Sequence, residues 1–232
     1  WSSAEAVSTD PIAINQIAPA AVITPQGRPV IVWQESTARD GGDIIALPAN
    51  GRQPVRVDDT AAQPALQSRP TMAIGTDGRI HAAWEDARDA LVSQIYYAFS
   101  SDGGATWSRN INLTAGLPSR DHLEPQLFFA PDDSLILAWR SNRSRAPGAS
   151  DIFAMRNNSE AWSAPVRLNS PLATGARVLP RLAADGQAGV LAVWEDRRDA
   201  TLAVYSARLA DPAGAWSAET IASPLRTFAI RP

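Results

Sequence analysis

Four tryptophans, each at the end of a short apolar run, recur along the chain at nearly constant intervals. The runs PVIVW, IHAAW, LILAW and VLAVW end at Trp33, Trp84, Trp139 and Trp194, with spacings of 51, 55 and 55 residues. A proline stands fourteen positions before each tryptophan, at Pro19, Pro70, Pro125 and Pro180. A period of this length, kept in register by two residue types, indicates a repeat protein. The sequence therefore predicts four copies of one structural unit.

Each repeat contains four short strand-like segments separated by turns. Strand a follows the proline, strand b is the apolar run, strand c is a segment such as QIYYAF, and strand d begins at a second tryptophan such as Trp107. Four strands in about 40–55 residues are typical of a β-propeller blade. We therefore predict an all-β chain with a single domain over residues 1–232, a β-propeller of four four-stranded blades, either closed as a four-blade ring or part of a larger ring. The predicted blades cover about 19–57, 70–113, 125–168 and 180–222, with an additional d-type strand at residues 1–7.

Composition excludes several classes of function. The 232 residues include 21 Lys and Arg and 24 Asp and Glu, a net charge of −3, which gives no general attraction for nucleic acid. No apolar run approaches the roughly 20 residues that cross a bilayer, so no transmembrane segment is predicted. The chain has two histidines and no cysteine, which excludes disulfides and thiolate metal sites. We predict no metal and no cofactor.

One turn carries a recognisable motif. Ser100–Trp107, SSDGGATW, fits the pattern S-x-D-x-G-x-T-W, called the Asp box, and resembles the bacterial neuraminidase repeat of sialidase-like propellers. The preceding AAWEDARD and IYYAFS segments resemble the repeat unit of secreted bacterial members of that superfamily. The resemblance implies a propeller fold and a protein that is secreted, periplasmic or displayed at the cell surface.

The chemistry of the Asp box predicts a structural role. Asp102 is placed to accept backbone N–H bonds across the turn between strands c and d, where glycines supply unusual backbone angles. The resemblance places these turns on the bottom of the propeller, away from the ligand face. The alternative is calcium binding by Asp102, or by the pairs Asp58–Asp59 and Asp132–Asp133. The predicted structural residues are Ser100, Asp102, Gly104, Thr106 and Trp107.

The loops between strands b and c, and those between blades, are expected to gather on the opposite face around a central funnel. A ring of arginines there could hold an anion or a sugar carboxylate through bidentate contacts. The alternative is a local ion pair that orders the loop, as for Asp86 with Arg88 and Asp196 with Arg198. The ligand-binding candidates are Arg39, Arg69, Arg88, Arg120, His122, Arg143, Arg177 and Arg198.

Sialidases, as the resemblance implies, use three arginines, a Tyr–Glu nucleophile pair and an Asp acid/base. The tyrosines of this chain, Tyr96, Tyr97 and Tyr205, fall in strand c, away from the funnel-lining strand a. We therefore predict no catalytic residue and a non-catalytic binding or structural module outside the cytoplasm, with a glycan or anion as its possible ligand. The alternative is a sialidase-like glycoside hydrolase with its site in the funnel.

The partner prediction concerns the two terminal segments, since Trp1–Val7 and Trp216–Ile221 would compete for one outer position in a closed four-blade ring. We expect a protein partner or additional blades, with one terminal segment in contact with them, so that the chain is a subunit or part of a larger assembly. The alternative is that Trp1–Val7 packs as a peripheral arm.

Overall fold

The chain folds into four separate antiparallel sheets. The structure is a computed structural model that describes residues 6–7, 15–36, 42–51, 53–60, 65–89, 92–118, 121–143, 148–158, 161–171, 175–198, 202–211 and 214–222. The described residues form sixteen strands and no α-helix, and each sheet contains four strands in chain order. It follows that none of them belongs to a helix long and apolar enough to cross a membrane. The all-β class and the four four-stranded blades are confirmed.

The four blades share one pattern of strand lengths. Blade 1 consists of β1 (Asn15–Ile23), β2 (Pro29–Ser36), β3 (Asp43–Leu47) and β4 (Val55–Arg56). Blade 2 consists of β5 (Gln67–Ile74), β6 (Ile80–Asp86), β7 (Gln94–Ser100) and β8 (Ile111–Asn112). Blade 3 consists of β9 (His122–Phe129), β10 (Leu135–Asn142), β11 (Ser150–Asn157) and β12 (Val166–Arg167). Blade 4 consists of β13 (Arg177–Ala184), β14 (Val190–Asp196), β15 (Ala203–Leu209) and β16 (Thr220–Ile221).

The repeated tryptophans occupy equivalent positions, as predicted. Each lies on the second strand of its blade, directly opposite a residue of the third strand. The pairs are Trp33 with Ile45, Trp84 with Tyr96, Trp139 with Phe153, and Trp194 with Tyr205. The repeat deduced from the spacing is therefore the repeat of the structure.

The first strand of each blade differs from its predicted start. β1, β5, β9 and β13 begin three or four residues before the repeated prolines, so each proline lies inside the strand. The pairing register shifts at this point in all four blades. A bulge accommodates the proline, which has no N–H to donate to a regular ladder.

The hydrophobic core lies between the blades. Trp84 packs with residues of blade 1, Trp139 with residues of blade 2, and Trp194 with residues of blade 3. The first strands pack on one another in the order β1, β5, β9, β13, so they form the inner side of an arc. Blades 1 and 4 form no comparable interface within the described ranges, and the sheets do not close. The closed four-blade ring is therefore wrong, and part of a larger ring is the alternative that agrees with the structure.

The predicted terminal contacts fall mostly outside the described residues. Of the additional strand predicted at residues 1–7, only Ala6 and Val7 are described, and both are exposed and belong to no sheet. The segment after residue 222 is likewise outside the described ranges.

Candidate functional site

We call the end of the arc where β1, β5, β9 and β13 begin the upper end. Near it, the bulge of each inner strand contains one residue with an unusual backbone conformation. The residue before each repeated proline has a left-handed backbone. These residues are Ala18, Arg69, Glu124 and Leu179, with φ of 52°, 51°, 57° and 55°. Such a conformation is costly for a residue other than glycine and persists where its surroundings hold it.

Two of these bulges are held by a glutamate of the preceding blade. The backbone N–H of Glu124 donates to Oε1 of Glu85 at 2.7 Å. The N–H of Leu179 in turn donates to Oε2 of Glu124 at 2.6 Å. Both carboxylates are buried. Blades 2, 3 and 4 are thus connected in series by side-chain to backbone hydrogen bonds at their upper inner ends.

Four charged side chains meet at this point, and we call Arg69, Glu85, Glu124 and Arg140 the axial cluster. Nη1 of Arg69 lies 3.4 Å from Oε1 of Glu124 and 3.9 Å from Oε1 of Glu85. Nη2 of Arg140 lies 3.5 Å from Oε1 of Glu124. The side chain of Arg69 is 56% exposed, whereas the other three are mostly buried. Arg69 is therefore the cationic group through which the cluster meets solvent.

Burial sets the electrostatics of the axial cluster. It raises the pKa of Glu85, and the hydrogen bond from Glu124 N–H and the charge of Arg69 oppose that rise only in part. Nε of Arg140 is buried and has no hydrogen-bond partner among the described residues. The cluster thus places two arginines beside a glutamate whose neutral form burial favours, and it contains one unsatisfied donor.

Arg88 and Arg198, the arginines of two loops that follow the second strands, bind carboxylates of their own loops. Nη2 of Arg88 lies 2.7 Å from Oδ2 of Asp86, and Nη2 of Arg198 is paired with Asp196. Their guanidinium groups stack on strand c tyrosines, 4.2 Å from the ring centre of Tyr96 for Arg88 and 3.9 Å from that of Tyr205 for Arg198. The local ion-pair interpretation is confirmed for both loops.

Two further candidate arginines also have partners within the fold. Nε of Arg143 donates to Oδ2 of Asp151 at 2.6 Å. Nε of Arg177 donates to Oδ2 of Asp196 at 3.1 Å, and the side chains of both residues are fully buried. Both arginines thus form ion pairs within the fold and do not face a funnel. Arg39 and Arg120 lie outside the described residues.

His122 is a buried residue of blade 3. Blades 2 and 4 have an aspartate two positions after the repeated tryptophan, but blade 3 has Ser141 there. The indole N–H of Trp139 instead donates to Nδ1 of His122 at 3.0 Å. Burial lowers the pKa of His122 to about 4, so the ring is neutral near pH 7. The observed partner of His122 is thus the core residue Trp139.

The Ser100–Trp107 turn joins β7 to β8 at the end of the sheet opposite the axial cluster. The N–H and Oγ1 of Thr106 donate to Asp102 at 2.9 and 2.6 Å, and the N–H of Gly104 donates to Oγ of Ser100 at 2.9 Å. Burial would raise the pKa of Asp102, but these hydrogen bonds outweigh it and the pKa is lowered. The predicted hydrogen bond from the backbone to Asp102 is confirmed. Trp107 follows the turn and packs against the blade 1–blade 2 core.

Glu85, Glu124 and Arg140 were not among the sequence-derived candidates. Glu124 stands directly before a repeated proline, and Glu85 and Arg140 directly follow a repeated tryptophan. A comparison of the residue after tryptophan across the repeats reveals a change of charge, with Glu85 and Glu195 in two blades and Arg140 between them. That signal could have identified the cluster.

Comparisons with known proteins establish the fold. No family model and no curated protein matches the chain. A protein of unknown function from Dyadobacter fermentans superposes with a TM-score of 0.68 at 11% identity, covering 89% of this chain and 68% of that one. A Hadza microbial sialidase gives 0.66 at 16% identity (90% and 47%), and a GH93 α-L-arabinofuranosidase of Fusarium graminearum gives 0.60 at 17% identity (88% and 64%). The chain thus spans about half to two thirds of these proteins, and its fold is that of the sialidase-like β-propellers.

Proposed function

We propose that this chain is a non-catalytic, extracytoplasmic binding module that forms part of a larger propeller assembly and binds an acidic glycan at the axial cluster. The observation that carries the proposal is the state of the charged groups at the upper end. Arg88, Arg143, Arg177 and Arg198 are committed to carboxylates of the fold. Arg69 combines exposure with a central position, which suits it to pair with a carboxylate or sulfate.

The non-catalytic assignment rests on the glutamates. Oε1 of Glu85 and Oε2 of Glu124 accept backbone N–H groups of neighbouring blades, and both residues are buried. A general acid or nucleophile must reach its substrate within hydrogen-bonding distance. Carboxylates occupied in holding the bulges are better suited to positioning Arg69 and Arg140.

The glycan assignment draws on the similar structures. Among them are a sialidase, an α-L-arabinofuranosidase in complex with arabinobiose, and a polysaccharide lyase bound to a glycan of glucuronic acid and sulfated rhamnose. Two of these three structures thus hold a bound glycan. A cluster with two arginines, of which Arg69 is 56% exposed, favours the acidic members of that class.

Calorimetric titration with sialyllactose and with an oligoglucuronate tests the proposal, with lactose and the carboxyl-reduced oligomer as neutral references. We expect the acidic ligands to bind more tightly, with affinity falling as salt rises. Arg69→Ala should weaken binding by about 10- to 100-fold, because a charge-assisted bond contributes about 1.5–3 kcal/mol. Arg79→Ala is the matched control, since it removes the same charge at the opposite end of blade 2, and it should leave binding unchanged. Equal binding of acidic and neutral ligands, or equal losses in both variants, would refute the proposal.

A glycoside hydrolase is the second candidate. It is favoured by the raised pKa of Glu85 beside Glu124, since paired carboxyl groups with different proton affinities are what acid/base catalysis requires. Fluorogenic sialosides and arabinofuranosides distinguish the two candidates. Turnover that is lost in Glu85→Gln while the fold is retained would replace the binding proposal with this one.

A further inference from the structure

Each blade interface of the arc uses the same three positions to receive the tryptophan of the next blade. One position is the residue before the repeated tryptophan on the second strand, and the other two flank its partner on the third strand. In blades 1, 2 and 3 these positions are Val32, Ile44 and Ala46; Ala83, Ile95 and Tyr97; and Ala138, Ile152 and Ala154. All nine residues are buried, and they pack in the clusters that contain Trp84, Trp139 and Trp194 respectively.

Blade 4 has the same three positions, and no described blade packs against them. They are Val193, Val204 and Ser206, which we call the receiving face. Val204 is 37% exposed, although its equivalents Ile44 and Ile152 are completely buried. Val193 is half-buried. Leu202, which directly precedes β15, is 59% exposed. Ser206 is buried, so the uncovered apolar part of this surface is formed by Val204 and Leu202.

We propose that the receiving face is the docking surface of a further propeller blade that inserts a tryptophan from the end of its second strand between Val193 and Val204. The inference comes from the internal repeat. Three copies of this surface are occupied by such a tryptophan, and the fourth keeps a valine at two of its three positions. Ser206 is as small as Ala46 and Ala154, so it leaves room for an indole ring. Burial of Val204 and Leu202 supplies the driving force.

A cysteine reporter at position 204 tests the proposal, because the chain has no cysteine of its own. Val204→Cys is prepared in the chain as it stands and in a version with a second copy of residues 170–222, the blade 4 sequence, appended at the C-terminus. Thiol-labelling rates are then compared. Docking of the appended blade should slow labelling about tenfold or more, because reaction then requires local opening of the interface. Ile111→Cys, 47% exposed on β8, is the matched control and should label equally fast in both versions.

A second variant separates docking from tethering. Trp194→Ala in the appended copy alone should restore fast labelling at position 204. Unchanged labelling beside the intact copy would overturn the proposal. An appended copy that stays unfolded counts as the same result, because it shows that blade 4 offers its tryptophan no surface to bind. Sedimentation addresses the other occupant, a second copy of this chain. If the unmodified chain dimerises and Val204→Glu abolishes the dimer, the proposal is overturned in favour of self-association.

Discussion

Replacing Trp84 with alanine tests the claim that blade interfaces hold this fold together. Trp84 is fully buried between blade 2 and the Val32 and Ile44 side chains of blade 1. An aromatic side chain of this kind buries about 150–250 Å², which at about 25 cal/mol per Å² corresponds to about 4–6 kcal/mol as an upper limit. Large-to-small substitutions of buried aromatic residues cost about 3–5 kcal/mol. Asp86 loses the indole N–H that it accepts at 3.0 Å but keeps its bonds from Arg88. We therefore expect a loss of about 3–5 kcal/mol.

Urea unfolding followed by far-ultraviolet circular dichroism and by tryptophan fluorescence measures this loss, and coincident transitions justify a two-state analysis. Trp107→Ala is the control, because Trp107 is only partly buried at the margin of the same cluster and should cost less. A loss below about 1 kcal/mol for Trp84→Ala, within the range of an ordinary point mutation, would refute the reasoning. So would equal losses for the two variants.

Two further predictions concern the loop arginines and the histidines. Arg88→Ala should destabilise the fold by about 3 kcal/mol, because it leaves the buried Asp86 without its ion pair, and Arg198→Ala should cost less, because a second arginine remains beside its carboxylate partner. Thermal melts of the two variants check the order, and reversed values would contradict it. Burial lowers the pKa of both His81 and His122 to about 4, so the unfolded chain binds protons first on acidification and stability should fall as pH drops from about 6.5 to 4. Urea midpoints across that range measure the slope, which His122→Phe should reduce; an unchanged slope would show that this histidine does not contribute.

The repeat could be predicted from the sequence because local patterns encode it. The apolar run before each tryptophan makes a buried strand, and the turns after strands a and c carry glycine and aspartate where the chain must reverse. The ion pair of Asp86 with Arg88 was also predictable, since two residues of separation in a tight loop brings the groups together. Both features depend on residues close to one another in the chain.

The axial cluster was not predictable by the same reasoning. The residue before proline normally prefers an extended backbone, so nothing local indicates the left-handed conformation of Arg69 or Glu124. The bulge at Glu124 is held by Glu85, which is 39 positions away in the chain and belongs to another blade. The loop arginines also differed from the funnel expectation, because the rings of Tyr96 and Tyr205 hold them over strand c. Contacts between blades decide these positions.

At the bulges, the backbone connects neighbouring blades, and the side chains of the same residues lie at the centre of the arc. The group that donates the hydrogen bond between blades is a backbone N–H, which every residue type except proline possesses. The donor residue can therefore carry almost any side chain. The donors are Glu124 and Leu179, two residues of very different side chains, and the four bulges carry alanine, arginine, glutamate and leucine. A change at Leu179 would therefore alter the group displayed at the centre and keep the main-chain bond between blades 3 and 4. A change at Glu124 would also remove the carboxylate that accepts that bond.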